Sequence, residues 1–295
     1  MISDQNWIKY TDEKGEQLPS GLSIEILNPD ESSKETKKLD VKNIITKYNN
    51  YYFIDKNIDD DCPQGIIQSS EWAELQVIGL IRPEQRKQWD EQSVKQILAW
   101  KTGKIKQKET QKEKKFIYAK GWQEHPLAVQ LPNQRPMDTT VFLGLSKIVI
   151  DLHKDYCEKN KNEKDVWTKL LAYVNDNDIA GLGSVYLITL LFFITNGDCP
   201  IYDRFAMAAL ASFVLNEKKG IKVPDDSIFR GCGLPDRKSK YANELILDPN
   251  SKYKKYQQLL KYFFGDDWNR DIDKGRDIDR ALWVYGHKFK VYDQM

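Results

Sequence analysis

"DNDIAGLGSVYLITLLFFITNGDCPIYDRFAMAAL", residues 176–210, places two glycines before a very apolar run and, after it and a short turn, Asp203. The run itself, "VYLITLLFFIT" (185–195), is too short for a bilayer span, which takes about 20 residues. It reads as a helix buried on most of its sides. Before it, "IAGLGS" (179–184) joins an amphipathic helix to this buried one through a very short turn. Glycines at 181 and 183 allow positive φ and close approach of another backbone. The first amides of the next helix then point outward beside a positive dipole end, an arrangement that suits a phosphate. An ordinary turn between two helices is the plainer alternative. After the run, Asp203 follows Gly183 by twenty residues, with Arg204 next to it. The buried helix leads away from the turn and "TNGDCPIY" leads back, so Asp203 is expected to start the following helix near the turn's end of the domain. It is then a helix cap worth about 1 kcal/mol, a carboxylate held in place for chemistry, or both.

Outward from this stretch the pattern is helical. "PEQRKQWDEQSVKQILAWKTGK" puts Val94, Ile97, Leu98 and the stem of Lys101 on one face, and Gly103 ends it. Helices are also expected over 136–160, with Asp138 as cap, over 164–178, and over 203–215. Two more are expected in "NSKYKKYQQLLKYFFG" and "DIDRALWVYGHKFK". Residues 1–82 read differently. "GLSIEIL", "NYYFID" and "AELQVIGLI" are short, rich in β-branched or aromatic residues and bounded by turn-formers. The sequence therefore predicts a mainly α protein, with a small strand-containing appendage at 1–82 and a helical domain at 83–295. No internal repeat is present.

Composition narrows the function without deciding it. Lysine plus arginine (45) nearly cancels aspartate plus glutamate (44), so net charge points to no polyanion partner. Residues 101–120 hold eight lysines against two glutamates. They form a solvated surface or a phosphate-contacting arm. Cys62, Cys157, Cys199 and Cys232 are scattered and only three histidines occur, so no metal or cofactor is expected. Scattered thiols suit a reducing cytosol, and "MISDQNWIKYTDEKGEQ" lacks the order of a signal peptide. A cytoplasmic monomer with no membrane partner is the expectation.

"AGLGS", the apolar helix and "CPIYDRF" match, in order and approximate spacing, a glycine hairpin followed by a Pro/Val-x-Asp segment. In this the chain resembles the helix–hairpin–helix DNA glycosylase superfamily, and most closely its bacterial 8-oxoguanine-glycosylase-like branch. "ILAWKTGK" and "RDIDRALWVYG" add to the likeness, which covers roughly residues 90–295. The resemblance implies a two-lobed helical fold that flips a modified base out of double-stranded DNA into a pocket between lobes. It assigns Asp203 to stabilising the cationic sugar left as the glycosidic bond breaks. It assigns Gly181, Leu182, Gly183, Ser184 and Arg204 to the DNA backbone. Lyase-competent relatives carry a lysine where this chain has Val185, and no lysine occurs between Lys169 and Lys218. A monofunctional glycosylase, acting in base-excision repair or in defence against modified foreign DNA, is therefore expected.

For the base pocket, Asp279, Trp283 and His287 recur every four residues and share a helix face. A Trp stacks on a base while Asp and His bond its edge; the alternative is a core Trp and a surface His. Arg276 and Arg280 would then pair with Asp273, Asp277 and Asp279 in an exposed network of little weight. The proline-bounded loop 121–136, with Trp122 and His125, lines the cleft, supplies a wedge, or simply links domains. Two rival functions stand beside the enzyme. One is a catalytically inactive helix–hairpin–helix DNA binder, and the other is a helical protein-interaction module. Steep loss of affinity with salt separates the DNA readings from the last.

Overall fold

In the computed structural model, described for residues 8–9, 23–24, 41–53, 71–83, 88–109, 114–119, 121–123, 126–158, 162–219 and 232–292, the chain is mainly helical. Helix α1 covers 41–48 and runs into a 3-10 turn, Asn49–Tyr52. Then come α2 (Glu71–Ile78), α3 (Glu91–Lys101), α4 (Thr139–Glu158), α5 (Glu163–Asp176), α6 (Ser184–Ile194) and α7 (Arg204–Lys219). The last three are α8 (Lys240–Leu247), α9 (Lys252–Phe264) and α10 (Ile272–Tyr292). Two-residue strands β1 (Ile8–Lys9) and β2 (Ser23–Ile24) pair antiparallel, as do β3 (Ile105–Glu109) and β4 (Lys114–Tyr118). No described helix is long and apolar enough to cross a membrane.

Local chemistry accounts for the boundaries. Asp90 caps α3: its carboxylate accepts the Ser93 amide at 2.9 Å while the Ser93 hydroxyl meets the Asp90 amide, closing a capping box. The α3 helix starts at 91 rather than near 83, and Gly103 turns the chain at φ +65°. Asp138 receives the Thr140 amide at 2.8 Å, and Asn162, Ser239 and Ser251 cap α5, α8 and α9. The apolar run forms α6, in which Leu187 through Ile194 are all buried. Within the lysine-rich stretch, Ile105–Glu109 and Lys114–Tyr118 pair as β3 and β4, with Ile105 opposite Tyr118 and Lys108 opposite Lys115.

The N-terminal region departs from expectation. "AELQVIGLI" is helical over Glu71–Ile78, and "NYYFID" begins as a 3-10 turn. Of "GLSIEIL" only Ser23–Ile24 lies within the described residues, as β2. Nor does the core divide at 82. Val41, Ala73, Val77, Ile78, Leu80 and Ile81 are buried in the same cluster as the helices of the larger domain. Tyr48, Tyr51, Tyr52 and Phe53 pack with Ala281, Trp283 and Val284 of α10 in a second cluster.

Helices α7 and α10 approach closely at Gly286. A β-carbon there would lie 2.1 Å from the Phe205 carbonyl oxygen and 2.6 Å from its carbon. Gly286→Ala must therefore push the start of α7 away by roughly 1 Å or more to restore van der Waals separation. We expect about 1–3 kcal/mol of destabilisation from such overpacking, read as a lowered midpoint in urea. Because Asp203 lies two residues before Phe205, the same variant should disturb the site described next.

Candidate functional site

The site is built around the first turn of α7. One carboxylate oxygen of Asp203, Oδ1, accepts the Phe205 amide at 2.9 Å, and the Asp203 carbonyl accepts the Met207 amide at 3.0 Å. This is a helix cap, and it fixes the orientation of the carboxylate. The second oxygen, Oδ2, lies 3.8 Å from Nζ of Lys101, in the last turn of α3. Side-chain exposures are 19 % for Asp203 and 16 % for Lys101, so the pair is set in from the surface without being sealed off. Arg204 is exposed and its guanidinium lies 5.5 Å from the Phe205 ring centroid.

Tyr202, just before the carboxylate, is fully buried and donates its hydroxyl to the Cys232 carbonyl. Three residues on, the Pro235 carbonyl accepts the Ser184 hydroxyl at 2.6 Å. Segment 232–235 thus ties the start of α7 to the start of α6. Below them Tyr253 donates to the Pro200 carbonyl at 2.8 Å, anchoring the returning loop.

Within the hairpin the two glycines have different reasons for being glycine. Gly181 has φ +81°, and a β-carbon on it would meet Gln134 Cγ at 2.7 Å and Leu131 Cβ at 3.0 Å. The 131–134 loop packs onto it, so the protein's own fold accounts for that residue. Gly183 has φ −74°, open to any L-residue, and its β-carbon would meet nothing within 4 Å. Neither strain nor packing explains it. It caps α6 without a side-chain hydrogen bond. Leu182 is wholly buried, and the Ser184 hydroxyl points inward to Pro235, so of these two only backbone remains for an outside partner. Beside the hairpin a groove of about 450 Å³ is lined by residues including Asn133, Arg135, Met137, Asp178 and Ile179.

The α10 residues lie on the same side as Asp203, though not as an open pocket. His287 stacks on Phe205 with centroids 3.3 Å apart, and its ring centroid is 3.7 Å from that of Trp283. Its Nδ1 lies 2.9 Å from the Trp283 carbonyl oxygen. Trp283 is 8 % exposed, its ring edge against Tyr52 and Phe205. The stacking surface expected for a base is covered by the protein's own aromatics. Trp122 is likewise a core residue, 1 % exposed, its carbonyl held by the buried Lys95 ammonium at 2.7 Å. That burial corrects its assignment to a pocket. His125 lies outside the described residues.

Asp279 and the arginines form a buried network, not the exposed one the sequence suggested. Arg276, 3 % exposed, bonds Glu74 at 3.1 Å and also Asp279; Arg280 bonds Glu74 at 2.7 Å and also Asp277. Asp273 pairs instead with Arg82. Burial pushes the Asp279 carboxyl above its ordinary range, against the pull of Arg276 and Lys101, and neighbouring Asp203 pushes it the same way. Lys101, Arg276 and Arg280 thus pair with Asp203, Asp279, Glu74 and Asp277, and the exposed Arg204 stands directly beside Asp203.

Sequence reasoning missed Lys101 as a site residue. Its sole signal was a place at the end of a predicted helix, since nothing local pairs residues 102 positions apart. No group of three or more histidine, cysteine or acidic side chains able to hold a metal occurs among the described residues. No protein-family model, curated protein or solved structure matches the chain.

Proposed function

We propose that the protein binds double-stranded DNA and excises a modified base by cleaving its N-glycosidic bond. The observation that carries this reading is the divided Asp203 carboxylate. One oxygen is locked by a helix amide and the other faces Lys101 Nζ at 3.8 Å, with 19 % of the Asp203 side chain open to solvent. A carboxylate so fixed stabilises an oxocarbenium-like sugar without having to reorganise as charge develops. Gly183 supports the DNA part: it leaves open the space in front of an uncapped helix N-terminus, where a phosphate can approach the amides. Asn133, Gln134 and Arg135 in the exposed tip beside the hairpin are placed to meet the same duplex.

The hairpin itself brings no amine, Val185 standing where lyase-competent relatives have lysine. A flipped base would have to displace the aromatic cover of Trp283, which is held by Tyr52 from the N-terminal segment. That cover is the observation favouring the rival reading, a helix–hairpin–helix protein that holds duplex DNA without cutting it.

Mass spectrometry of bases released from a panel of modified duplexes tests the proposal. Release of one base by the wild type is expected, and release of none sinks it. Gly183→Ala tests the contact separately. With an ordinary φ and free space for its methyl group, the variant should fold, losing no more than about 1 kcal/mol because alanine caps a helix less well than glycine. Its duplex affinity should fall about tenfold, the equivalent of one charge-assisted hydrogen bond. Unchanged affinity would remove the hairpin from the interface.

A further inference from the structure

We propose that the β3–β4 ribbon is a second DNA-binding surface, in which Lys106, Lys108 and Lys115 together neutralise backbone phosphates of a duplex. The inference needs duplex binding but not base excision.

The pairing of the strands is the first reason. Lys108 lies directly opposite Lys115 and Lys106 opposite Ile117, whereas Lys114 lies opposite Glu109. Like charges directly opposite one another destabilise an antiparallel pair. The Lys108–Lys115 pairing therefore works against the fold of the protein alone, and an anion bound at the pair offsets it. The two faces of the ribbon differ as well. Ile105 is buried in the main core, and Tyr118 packs against that core with the Lys95 ammonium 4.5 Å from its ring centroid. Strand residues alternate between faces, so Gln107, Glu109, Lys114 and Phe116 share the face of Ile105 and Tyr118, while Lys106, Lys108 and Lys115 belong to the opposite one. Finally, the ribbon has a firm footing. The Lys104 amide donates to the Ala99 carbonyl at 2.8 Å, and the Ala119 amide to the Lys104 carbonyl at 2.9 Å. Both strands are thus tied to the end of α3, whose last residue, Lys101, faces Asp203. The candidate site and the ribbon share one rigid element.

Charge and spacing select the partner. Residues 104–118 hold six lysines and two glutamates in a chain whose net charge is +1, so the remaining residues are net negative. Positive charge gathered into one ribbon of an otherwise acidic chain suits a polyanion. Two residues of an antiparallel strand advance about 6.8 Å, which equals the rise of two nucleotides along one DNA strand at about 3.4 Å each. Lys106 and Lys108 therefore keep step with a row of phosphates, and Lys115 widens the contact across the ribbon.

The test is the salt dependence of affinity for a short unmodified duplex, read by fluorescence anisotropy. Each lysine–phosphate contact adds about 0.9 to the slope of log affinity against log salt. The triple variant Lys106→Gln/Lys108→Gln/Lys115→Gln should therefore flatten the slope by about 2.7, and Lys108→Gln alone by about 0.9. Lys114→Gln, on the other face, should keep the wild-type slope. Lys115→Glu sets a carboxylate opposite Lys108, so it should melt no lower than the wild type while binding the duplex more weakly. That opposition of stability and affinity separates a binding role from a structural one. An unchanged slope in the triple variant, or equal flattening from Lys114→Gln, overturns the proposal. So does a wild type that binds vesicles of anionic lipid but no duplex. The probe carries no modified base, so these outcomes leave the role of Asp203 to the modified-duplex panel. A protein that releases no base but loses its salt dependence in the triple variant keeps the ribbon and loses the enzyme.

Discussion

Asp203→Asn should abolish base release while leaving the protein folded and bound to DNA. Asparagine caps a helix about as well as aspartate, so its side-chain oxygen can keep the Phe205 amide now bonded to Oδ1 at 2.9 Å. The ion pair with Lys101 is lost, a change of about 1 kcal/mol or less for a pair at this spacing near the surface. Stabilisation of the sugar cation disappears with the charge. Removing one such preorganised group costs on the order of 10²–10³ in rate. Single-turnover release from the best duplex of the panel gives the rate, a thermal melt the stability, and duplex titration the affinity. Asp203→Ala should lose the cap as well, so it separates the two roles of the residue: lower melting for alanine alone, lost chemistry for both. If the asparagine variant cleaves at the wild-type rate, Asp203 is a cap and nothing more.

Much of the helical frame could be read from the residues, for identifiable reasons. The α6 run is apolar on every face, and the capping signals of other helices, Asp138 before α4 and the glycine after α3, are local. Reading failed where tertiary partners decide. "AELQVIGLI" looks like a strand by its β-branched content, but it is a helix that buries Ala73, Val77 and Ile78 against the core. Its Glu74 is tolerable inside only because two arginines 202 and 206 residues later neutralise it. In α8 the spacing of Ala242, Leu245 and Ile246 after the Ser239 cap was a helical signal, hidden by the proline- and glycine-rich stretch before it. Asp203 was singled out from its position after the hairpin, and the α10 face from its four-residue spacing. Whether Trp283 is open or covered depends on Tyr52, 231 positions away, and no local pattern carries that. The two hairpin glycines look equivalent in the sequence, and only the neighbours of Gly181 tell them apart.

Glu74→Ala is expected to destabilise the protein by about 3–5 kcal/mol, the cost of removing one partner from a buried ion pair. Glu74 is 1 % exposed and Arg276 3 %, and the carboxylate also holds Arg280 at 2.7 Å. Removing it leaves Arg276 with Asp279, and Arg280 with Asp277, as carboxylate partners and opens a buried gap between α2 and α10. At roughly 2–4 °C per kcal/mol for chains of this general size, the melting point should drop on the order of 10 °C. The pH dependence gives an independent reading. Burial pushes the Glu74 carboxyl up, but Arg276 and Arg280 together outweigh it and hold it below its ordinary 4.5. A carboxyl depressed in the folded state contributes stability that is complete above its unfolded pKa and is lost as pH falls through the folded one. Wild-type stability should therefore decline below about pH 4.5 partly through Glu74, whereas Glu74→Gln, with no charge to lose, should lack that component. Asp279 acts in the opposite sense. Its raised carboxyl binds a proton more readily folded than unfolded, so acidification adds stability through it. Subtracting the glutamine curve from the wild-type curve gives Glu74 together with its repulsion on Asp279, which the variant also loses. A wild-type melting point for the alanine variant would mean that residues 71–82 merely hang on the helical domain, as the sequence-based division at 82 supposes. A large drop would make them part of the wall that positions α10 against Asp203.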